Sequence, residues 1–416
     1  MLEKLCVQGF KSLLNLEIEF PRLTVLFGPN AAGKSNLLEA VQMLSRIATS
    51  RTLSDAFSDP IRGYPLEAFA YPRGGFAELL RQSNAHFSIE ASLRIHSETY
   101  NYRIAIQVQP SSGSLSVRDE YLAHLGKTGQ PRGRPQIERV DDQLHVRRKS
   151  KPAHPRQEPV GLNHALISDP RLGGIEYRSV ETCRREFEGW RIYYLDPRMA
   201  MRSARPPADI QDIGVVGAEI APYLYRLNAE HPKHFAAVKR TLQSLIPSIE
   251  GLRVDLDEKR GTLDIQVQQD GALFSSRIVS EGTLRVLALC SIAVNPWAKG
   301  LIAFEEPENG VHPRRLELIA QLLLSLAMQP GRQVIVTTHS ALFCDAILQK
   351  ARSNGSGLSK DVAMLNVRRG REGTEVFDFR QAALPLFQDS ELRSALTSAT
   401  EDGFFEALLL RGLADE

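Results

Sequence analysis

The stretch LTVLF-GPNAAGKS-NLLEAVQMLSRIA (residues 23–48) decides the fold class. Its first part, LTVLF, is a short apolar run typical of a buried strand. Its last part repeats Leu37, Leu38, Val41 and Leu44 at helical spacing. The middle part fits the phosphate-loop pattern of a glycine, four residues, Gly-Lys and Ser or Thr. Because this motif requires a strand before it and a helix after it, the pattern predicts a phosphate-binding loop rather than an ordinary glycine-rich turn.

The loop predicts a specific chemistry. Backbone N–H groups of the loop and of the following helix N-terminus point at phosphates, where the helix dipole also favours negative charge. Lys34 is expected to reach the outer phosphates, and the Ser35 hydroxyl to bind Mg²⁺. We therefore expect ATP and Mg²⁺ as ligands. The residues expected to contact the nucleotide are Gly28, Pro29, Asn30, Ala31, Ala32, Gly33, Lys34, Ser35 and Asn36.

A second motif, LIAFEEPENGVHP (residues 301–313), places two adjacent carboxylates at the end of an apolar run. Such carboxylates repel each other and resist desolvation, so they do not stabilise the fold by themselves. Beside a phosphate loop, Glu305 is expected to contact Mg²⁺, and Glu306 to act as the general base that activates water. The alternative is a solvated acidic turn after a strand.

Two further motifs end or begin elements near these acids. VIVTTHS (residues 334–340) is another buried-strand pattern, and His339 at its end is expected to hydrogen-bond the γ-phosphate. In VSEGTLRVLALCSIAV (residues 279–294), Ser280 and Gly282 open an apolar helix. Two interpretations stay open for this helix start. It is either an anion site for the ATP of a partner chain, or a helix simply N-capped by Ser280.

Composition bounds the class of protein. The apolar fraction of 43% supports a sizeable core, and the formal net charge of +2 gives no global basic field for nucleic acid. The four cysteines are scattered without metal or redox spacing. The N-terminus has no apolar signal core, and no apolar run is long enough for a bilayer. These features predict a cytoplasmic protein that does not contact a membrane.

The middle of the chain is less informative. FSIEASLRI and YNYRIAIQVQ (residues 87–95 and 100–109) predict two antiparallel strands. The polar segment at residues 139–159 carries a basic cluster, which consists of Arg147, Arg148, Lys149, Lys151 and Arg156. Two interpretations stay open for this cluster: contact with DNA phosphates, or a mobile solvated loop. After residue 340 the patterns predict further strands and a helical tail that includes residues 404–410.

Together, the motifs resemble ABC-type ATPase heads of the branch that includes RecF, SMC and OLD-like ATPases. The chain is most similar to stand-alone bacterial "AAA family" ATPases grouped with OLD proteins. The matching motifs are GFKSL, GPNAAGKSNLLEA, YYLDPRMAMR, SEGTLR, FEEPENGVHP and TTHS, in family order. The resemblance implies that residues 28–36 are Walker A, Glu305 and Glu306 Walker B, and residues 309–312 the D-loop. It further implies that Ser280 and Gly282 form the signature.

Three positions depart from the family pattern. Glu305 stands where an aspartate is usual, although a glutamate there is common in the OLD-like branch. Ala31 replaces a glycine, so the loop backbone must tolerate a Cβ atom. Glu281 adds a negative charge beside the expected anion site. This last departure is expected to weaken contact between the signature and ATP.

The resemblance also implies an architecture and a role. The expected fold is an α/β P-loop NTPase, an ABC-ATPase head with an antiparallel β portion and an inserted helical lobe. The expected domains are the N-terminal head (1–110), a variable basic insertion (111–190), a helical signature-side lobe (191–274) and the C-terminal head (275–416). No heptad pattern predicts a coiled-coil arm, and the tail is too short for a nuclease domain.

The expected function is slow ATP hydrolysis by head-to-tail homodimers, or a higher oligomer, that enclose ATP and drive or regulate a separate effector protein. Anti-phage defence is the expected setting. The alternative is a RecF-like DNA-binding repair ATPase, which would add DNA as a partner. A transporter ATPase is disfavoured by the EEPENGVHP and TTHS motifs.

Overall fold

The computed structural model describes residues 1–58, 63–353 and 361–378. The predicted helical tail at residues 404–410 lies outside the described residues. The described chain forms two compact units. Unit 1 comprises residues 1–21, 29–190 and 366–378, and unit 2 comprises residues 22–28 and 191–365.

The strands, in chain order, are β1 Leu2–Phe10, β2 Leu13–Glu19, β3 Leu23–Phe27, β4 Ala85–Ile95, β5 Glu98–Gln109, β6 Ser114–Leu125, β7 Ile137–Val140, β8 Gln143–Val146, β9 Arg156–Pro159, β10 Arg191–Tyr193, β11 Ile249–Asp257, β12 Thr262–Gln269, β13 Ala272–Ser275, β14 Gly300–Glu305, β15 Arg332–Thr338, β16 Val362–Gly370 and β17 Gly373–Asp378. The α-helices are α1 Lys34–Thr49, α2 Leu53–Phe57, α3 Phe76–Arg81, α4 Arg178–Glu188, α5 Ile220–Glu230, α6 Pro232–Leu245, α7 Glu281–Ala293, α8 Leu316–Ala327 and α9 Ala341–Ser353.

Unit 1 is built on an antiparallel sheet with the strand order β2-β1-β4-β5-β6-β7-β8-β9. Its central strands alternate buried and less buried residues, as in β4, where Phe87, Ile89 and Leu93 are fully buried. This alternation is the pattern that a sheet with one covered face requires. The two strands predicted in this region, β4 and β5, are confirmed, and they pair directly.

The loop interpretation of residues 139–159 is wrong where strands lie, at residues 139–140, 143–146 and 156–159, whereas residues 147–155 form no strand. Strands β8 and β9 pair with each other and extend the sheet at its edge. Leu144 and Val146 are fully buried at alternate positions of β8, which supplies the driving force for strand formation. The sequence did not predict β8 because the alternation of Leu144 and Val146 has only two apolar positions before a run of arginine and lysine, and a period-2 pattern is recognised only over several repeats.

Unit 2 contains the parallel strands. The six-stranded sheet has the order β10-β14-β15-β3-β16-β17, and its first four strands belong to this unit. Strands β14 and β15 are parallel neighbours, and β15 pairs in parallel with β3. These strands read as continuous apolar runs because parallel sheets are covered on both faces. Helix α7 is likewise apolar almost all round, since seven of its last nine residues are apolar and buried.

The pairing register fixes which residues meet at one edge of this sheet. Glu305, the last residue of β14, lies opposite Thr337 of β15. Thr338, the last residue of β15, lies opposite Phe27, the last residue of β3. Because the strands are parallel, their carboxyl ends share an edge. The loop that begins at Gly28 therefore leaves the sheet at the edge where the glutamate strand ends.

The remainder of unit 2 combines helices with a small antiparallel sheet. Helices α5 and α6 come first in the sequence, and strands β11, β12 and β13 follow them. The three strands form one sheet in the order β11-β12-β13. The helices fit the expectation of a helical lobe, whereas the sequence patterns did not single out the three strands. Within the described ranges, no helix is long and apolar enough to cross a membrane.

Candidate nucleotide-binding site

The loop between β3 and α1 has the backbone of an anion-binding loop. Gly28, Ala31 and Gly33 all have positive φ angles, of 150°, 64° and 110°. Where residues with positive φ angles alternate with residues that have negative φ angles, successive N–H groups turn toward the inside of the loop. They then form a concave site for an anion. Gly33 also needs its lack of a side chain, because a Cβ atom there would lie 2.1 Å from Thr374 Oγ1.

A relay of polar side chains fastens the back of the loop. Thr374 Oγ1 donates a hydrogen bond to Ala32 O at 3.0 Å. The oxygens Ser12 Oγ and Thr374 Oγ1 are 2.7 Å apart, and Asn36 Nδ2 donates to Ser12 Oγ at 2.7 Å. The loop is thereby tied to the β1–β2 turn and to β17. Sequence reasoning missed Thr374, and it quoted GFKSL without assigning a role to Ser12.

The predicted phosphate lysine lies at the first position of α1. Lys34 is only 5% exposed, and its Nζ donates a hydrogen bond to Pro29 O at 2.7 Å. The N-cap residue Gly33 makes no side-chain cap, and the first turn of α1 holds no acidic residue. A buried cation therefore sits at the positive end of the helix dipole, an arrangement that an anion would stabilise. Ser35 and Asn36 follow it and are half-buried.

The structure brings Glu306 and His339 together. Glu306 follows the end of β14, and its N–H donates to Thr337 O at 3.0 Å. His339 Nδ1 lies 2.8 Å from Glu306 Oε1, in the half-exposed part of this edge. Glu306 has a φ angle of 46°, which costs a non-glycine residue about 1–3 kcal/mol. Such strain at a carboxylate supports a functional role for Glu306 over that of a solvated acidic turn.

A third carboxylate in this motif, Glu308, was missed by sequence reasoning. Its side chain is 6% exposed, and burial raises the pKa of its carboxyl to about 7. Thr338 Oγ1 donates to Glu308 Oε1 and accepts from the N–H of Ser340 at 2.9 Å. Glu308 therefore ties the segment after β14 to the end of β15. The sequence does place Glu308 in the EEPE motif with Glu305 and Glu306, but it does not show which of the three glutamates is buried.

A positive charge that faces these acids within unit 2 is Arg285 of α7. Its Nη1 donates to Glu306 O at 3.4 Å. Burial lowers the pKa of Arg285, and the negative charges of Glu308 and Glu306 oppose that shift. The guanidinium remains charged, because arginine is effectively always protonated in proteins. Arg285 lies inside the SEGTLR motif, although the sequence analysis gave it no role.

The start of α7 shows a complete cap. Ser280 is exposed, and its Oγ accepts a hydrogen bond from the N–H of Thr283 at 3.1 Å. Glu281 forms an ion pair with Arg198, in which the Nε–Oε1 distance is 2.9 Å. The structure therefore contains the hydrogen bond that the N-cap interpretation predicts. The anion-site interpretation stays a prediction.

Gly282 has a packing reason of its own. A Cβ atom at this position would lie 2.4 Å from Gly310 O, which is a backbone atom of the predicted D-loop. Because the carbonyl cannot rotate away as a side chain can, a residue larger than glycine would displace one of the two segments. The first turn of α7 and residues 309–312 are therefore held in direct contact.

The family described as "AAA domain, putative AbiEii toxin, Type IV TA system" matches residues 23–345. The chain belongs to this AAA-domain family. The match begins at β3 and extends past β15, so it includes the phosphate loop, α7, the glutamate strand and His339.

Individual relatives give narrower similarities. The chain is 47% identical to the DNA replication and repair protein RecF of Listeria welshimeri over 55 residues. That stretch is 13% of this chain and only 15% of the RecF chain. Among solved structures, it is similar to an Smc head bound to the C-winged helix domain of ScpA, with 13% identity and a TM-score of 0.50. That alignment covers 91% of this chain and 97% of the other.

These findings confirm two of the predictions. The chain has the α/β P-loop fold of an ABC-type ATPase head with an antiparallel β portion. Its membership of the AAA-domain family agrees with the predicted resemblance to ATPases of this kind. The assignments of individual residues to ATP, Mg²⁺ and catalysis are not tested by the comparisons and stay predictions.

Proposed function

We propose that this AAA-domain family member hydrolyses ATP with Mg²⁺ and that two copies enclose two ATP molecules head to tail. We further propose that the closed and open forms drive or regulate a separate effector protein, in anti-phage defence. Membership of the AAA-domain family supports the use of ATP. The dimer, the effector and the biological setting go beyond that support and rest on the resemblance of the motifs.

One observation carries the proposal of hydrolysis: Glu306 and His339 form a hydrogen-bonded pair at the edge where β3 enters the phosphate loop. In the Nδ1–H tautomer, His339 donates to Glu306 Oε1 and fixes the carboxylate. The second oxygen, Oε2, is then available to accept a proton from water. A carboxylate positioned in this way can act as a general base.

The donor set fits Mg²⁺. Ser35 and Glu305, the proposed ligands, offer the oxygen atoms that this ion prefers. Within the described ranges, no group of three or more His, Cys, Asp or Glu side chains could hold a metal ion. That finding suits Mg²⁺, which usually takes one or two protein ligands plus phosphate oxygens and water. When bound, the ion would neutralise charge on the phosphates. Lys34 and the N–H groups of the loop would bind the same phosphates.

The decisive experiment compares three glutamate variants in steady-state ATP hydrolysis. Glu306→Gln keeps the shape of the side chain and removes the base, so kcat should fall by roughly 10²-fold or more. Its affinity for ATP, measured by calorimetry, should stay close to that of the wild type. Glu258→Gln changes an exposed glutamate outside these motifs and is the matched control. Wild-type turnover in Glu306→Gln would contradict the proposal.

Glu305→Gln completes the comparison. Loss of the proposed metal ligand should lower turnover and raise the Mg²⁺ concentration needed for half-maximal rate. If Glu305→Gln abolished turnover while Glu306→Gln had no effect, the two assigned roles would be reversed.

The proposed dimer depends on the start of α7. Ser280 and Gly282 are proposed to bind the γ-phosphate of the partner's ATP, because the phosphate loop of each chain encloses that chain's own nucleotide. The N-cap contact uses only a lone pair of Ser280 Oγ, and the Ser280 O–H is free for a phosphate when the Thr283 hydroxyl is the donor in their 2.8 Å hydrogen bond. Ser280→Arg should leave ATP binding intact and block ATP-dependent dimerisation. Equal light scattering by this variant and the wild type in ATP would count against the composite site.

The effector is proposed to dock on residues 111–190 or on the C-terminal tail, and the tail lies outside the described residues. The domain boundaries at residues 110, 190 and 274 and the cytoplasmic location also stay proposals. Coupling would follow from population shift, since a partner that binds open and closed forms differently responds to ATP. A protein that copurifies from the native host, and leaves when ATP is removed, would support this role.

One observation favours a second candidate function. The 47% identity to RecF over 55 residues supports a DNA-binding repair ATPase. That function predicts DNA-stimulated hydrolysis by the purified chain without any other protein. If the chain alone bound DNA in an ATP-dependent way, the repair function would replace the effector function.

A further inference from the structure

Unit 1 contains a cavity of about 460 Å³ that the proposed hydrolysis does not use. Its volume is within the range of small-molecule sites, about 300–1,000 Å³. The wall carries more positive than negative side chains. The cations are Arg134, Arg147, Arg148, Lys149 and Arg178, and the carboxylates are Glu98 and Glu176. The cavity therefore has an excess of positive charge in a chain whose overall charge is close to neutral.

One of these cations is fixed and nearly buried. The side chain of Arg147 is 10% exposed. It forms an ion pair with Glu138, and its Nη1 donates to Pro135 O at 2.9 Å. Its Nε–H is buried and has no hydrogen-bond partner among the described residues. A guanidinium held in this way keeps its position without a ligand, so little conformational entropy is lost on binding.

The other four cations are exposed and lack fixed partners. Within residues 1–58, 63–353 and 361–378, no ion pair within 4.0 Å involves Arg134, Arg148, Lys149 or Arg178. The two carboxylates of the wall accept hydrogen bonds from neighbouring hydroxyl groups. Glu98 accepts a hydrogen bond from the Tyr100 hydroxyl at 2.6 Å, and Glu176 accepts from the Ser150 hydroxyl at 2.6 Å.

Backbone groups add to the positive potential. The first turn of α4 lines the cavity through Arg178, Ser179 and Val180. Its N-cap residue, Tyr177, makes no side-chain cap, and Glu181 of the first turn is paired with Arg185 and accepts from the N–H of Gly174. The N–H groups of a first helical turn have no partner inside the helix and carry the positive end of the dipole. Cationic side chains and helix N–H groups therefore converge on the same space.

Flat side chains supply the rest of the wall. The rings of Tyr100 and His124 stack with their centroids 5.0 Å apart and an interplanar angle of 24°. Tyr177 and Pro152 also line the cavity. A wall with rings beside a cluster of guanidinium groups suits a ligand that carries both a planar group and phosphate.

We propose that this cavity binds a small phosphorylated ligand of nucleotide size, as a second anion site independent of the phosphate loop. A single-stranded nucleic acid is the less favoured occupant. Strand-binding proteins spread their cations along an extended groove that follows the backbone, whereas these cations converge on one concave space. The proposal does not depend on ATP hydrolysis and gives the basic cluster at Arg147, Arg148 and Lys149 a specific role.

The test measures pyrophosphate binding to the full chain by calorimetry, without Mg²⁺. The triple variant Arg148→Gln, Lys149→Gln, Arg178→Gln removes three cations from the wall and keeps their bulk. Each lost charge-assisted hydrogen bond weakens binding by roughly tenfold, so the loss of three should weaken binding by about 1,000-fold. The matched control is Lys233→Gln, Lys239→Gln, Arg240→Gln, which removes the same charge from α6. Lys34→Ala disables the phosphate loop and should retain binding at the cavity.

Further measurements separate the ligand classes. Replacing pyrophosphate with 5′-AMP in the Lys34→Ala variant should give tighter binding if the rings of the wall contact a base. Equal pyrophosphate affinity in the triple variant and its control would overturn the proposal. The proposal would also fail if a 12-nucleotide single strand bound the Lys34→Ala variant far more tightly than 5′-AMP and lost that affinity in the triple variant. That result would identify a nucleic-acid surface.

Discussion

The molecule contains two helix starts that sequence motifs assign to phosphate, and the two differ in how they are satisfied. Helix α1 begins with Lys34 after Gly33, has no side-chain cap and has no acidic residue in its first turn. Helix α7 begins after Ser280, whose hydroxyl caps it, and Glu281 lies in its first turn. At the start of α1, the ammonium group of Lys34 therefore lies at the positive end of the helix dipole. At the start of α7, the Ser280 hydroxyl caps an N–H group and the Glu281 carboxylate offsets the dipole.

This difference teaches what each start needs from a ligand. The loop before α1 has a positive φ angle at Ala31 and a buried cation at Lys34, and a bound anion would stabilise this arrangement. The start of α7 is stable alone, and its glycine is needed for contact with Gly310. We therefore expect mutations at α1 to change ligand binding more than stability. We expect mutations at α7 to change stability first.

Lys34→Ala should give the largest effect. The ammonium group is proposed to contact two phosphates, and each charge-assisted hydrogen bond contributes about 1.5–3 kcal/mol, so ATP affinity should fall at least roughly 100-fold. The midpoint of thermal unfolding without ligand should stay close to the wild-type value, because removal of a buried cation from a helix N-terminus offsets the loss of the hydrogen bond to Pro29 O. Calorimetry and a thermal melt on the same sample measure both quantities.

Lys233→Ala is the control for Lys34→Ala, because it removes an exposed lysine from α6. It should leave ATP affinity at the wild-type value. Unchanged ATP affinity in Lys34→Ala would remove the loop from the nucleotide site. A large drop in its stability without ligand would show instead that Lys34 is mainly structural.

Gly282→Ala should give the second largest effect. The new Cβ atom would meet Gly310 O at 2.4 Å, so the backbone of α7 or of residues 309–312 must move. Overpacking of this kind costs about 1–3 kcal/mol. Urea unfolding should show this loss in the free energy of unfolding. The control is Thr283→Ala, which alters the same turn of α7 without a clash at Gly310. Gly271→Ala is unsuitable as a control because Gly271 has a positive φ angle. Equal stability of Gly282→Ala and the wild type would contradict the packing argument.

The sequence predicted those parts of the fold and site that depend on neighbouring residues. The order β3, loop and α1 could be predicted because a buried-strand pattern, a glycine motif and a helical repeat follow one another in residues 23–49. The glutamate strand and the helix after Ser280 were readable for the same reason. Local pattern also suggested both interpretations of Ser280, and its cap contact is present in the structure.

The remaining features depend on residues that are distant in the chain. Thr374 supports a loop that lies more than 300 positions earlier, since it donates to Ala32 O across a separation of 342 residues. Arg285 contacts the backbone of Glu306, 21 residues away, only because α7 packs near the end of β14. The buried position of Glu308 likewise follows from Thr338, 30 residues later. Such pairings follow from tertiary packing, which periodicity and motif spacing do not encode.

Ser280→Ala should give a smaller effect than Gly282→Ala. Loss of an N-cap hydroxyl typically costs about 1 kcal/mol, within a range of roughly 0.5–2 kcal/mol. The free energy of unfolding should fall by that amount, as measured in urea. Ser280→Asn keeps a capping oxygen and should recover most of the loss. If Ser280→Ala were as stable as the wild type but no longer dimerised with ATP, the hydroxyl would act on the nucleotide rather than as a cap.

Ala31→Gly should give the smallest effect, and its sign tests the strain in the loop. A left-handed conformation costs an L-residue roughly 1–2 kcal/mol, and glycine avoids that cost. Glycine also loses roughly 0.5–1 kcal/mol more conformational freedom on folding, so the net change should lie between neutrality and about 1.5 kcal/mol of stabilisation. Ala32→Gly is the matched control, because Ala32 is buried and is not among the residues with positive φ. It has no strain to relieve and should destabilise the protein by roughly 0.5–1 kcal/mol. If urea unfolding gave both variants the same loss, the loop before α1 would be relaxed without an anion, and its contrast with the start of α7 would rest on charge alone.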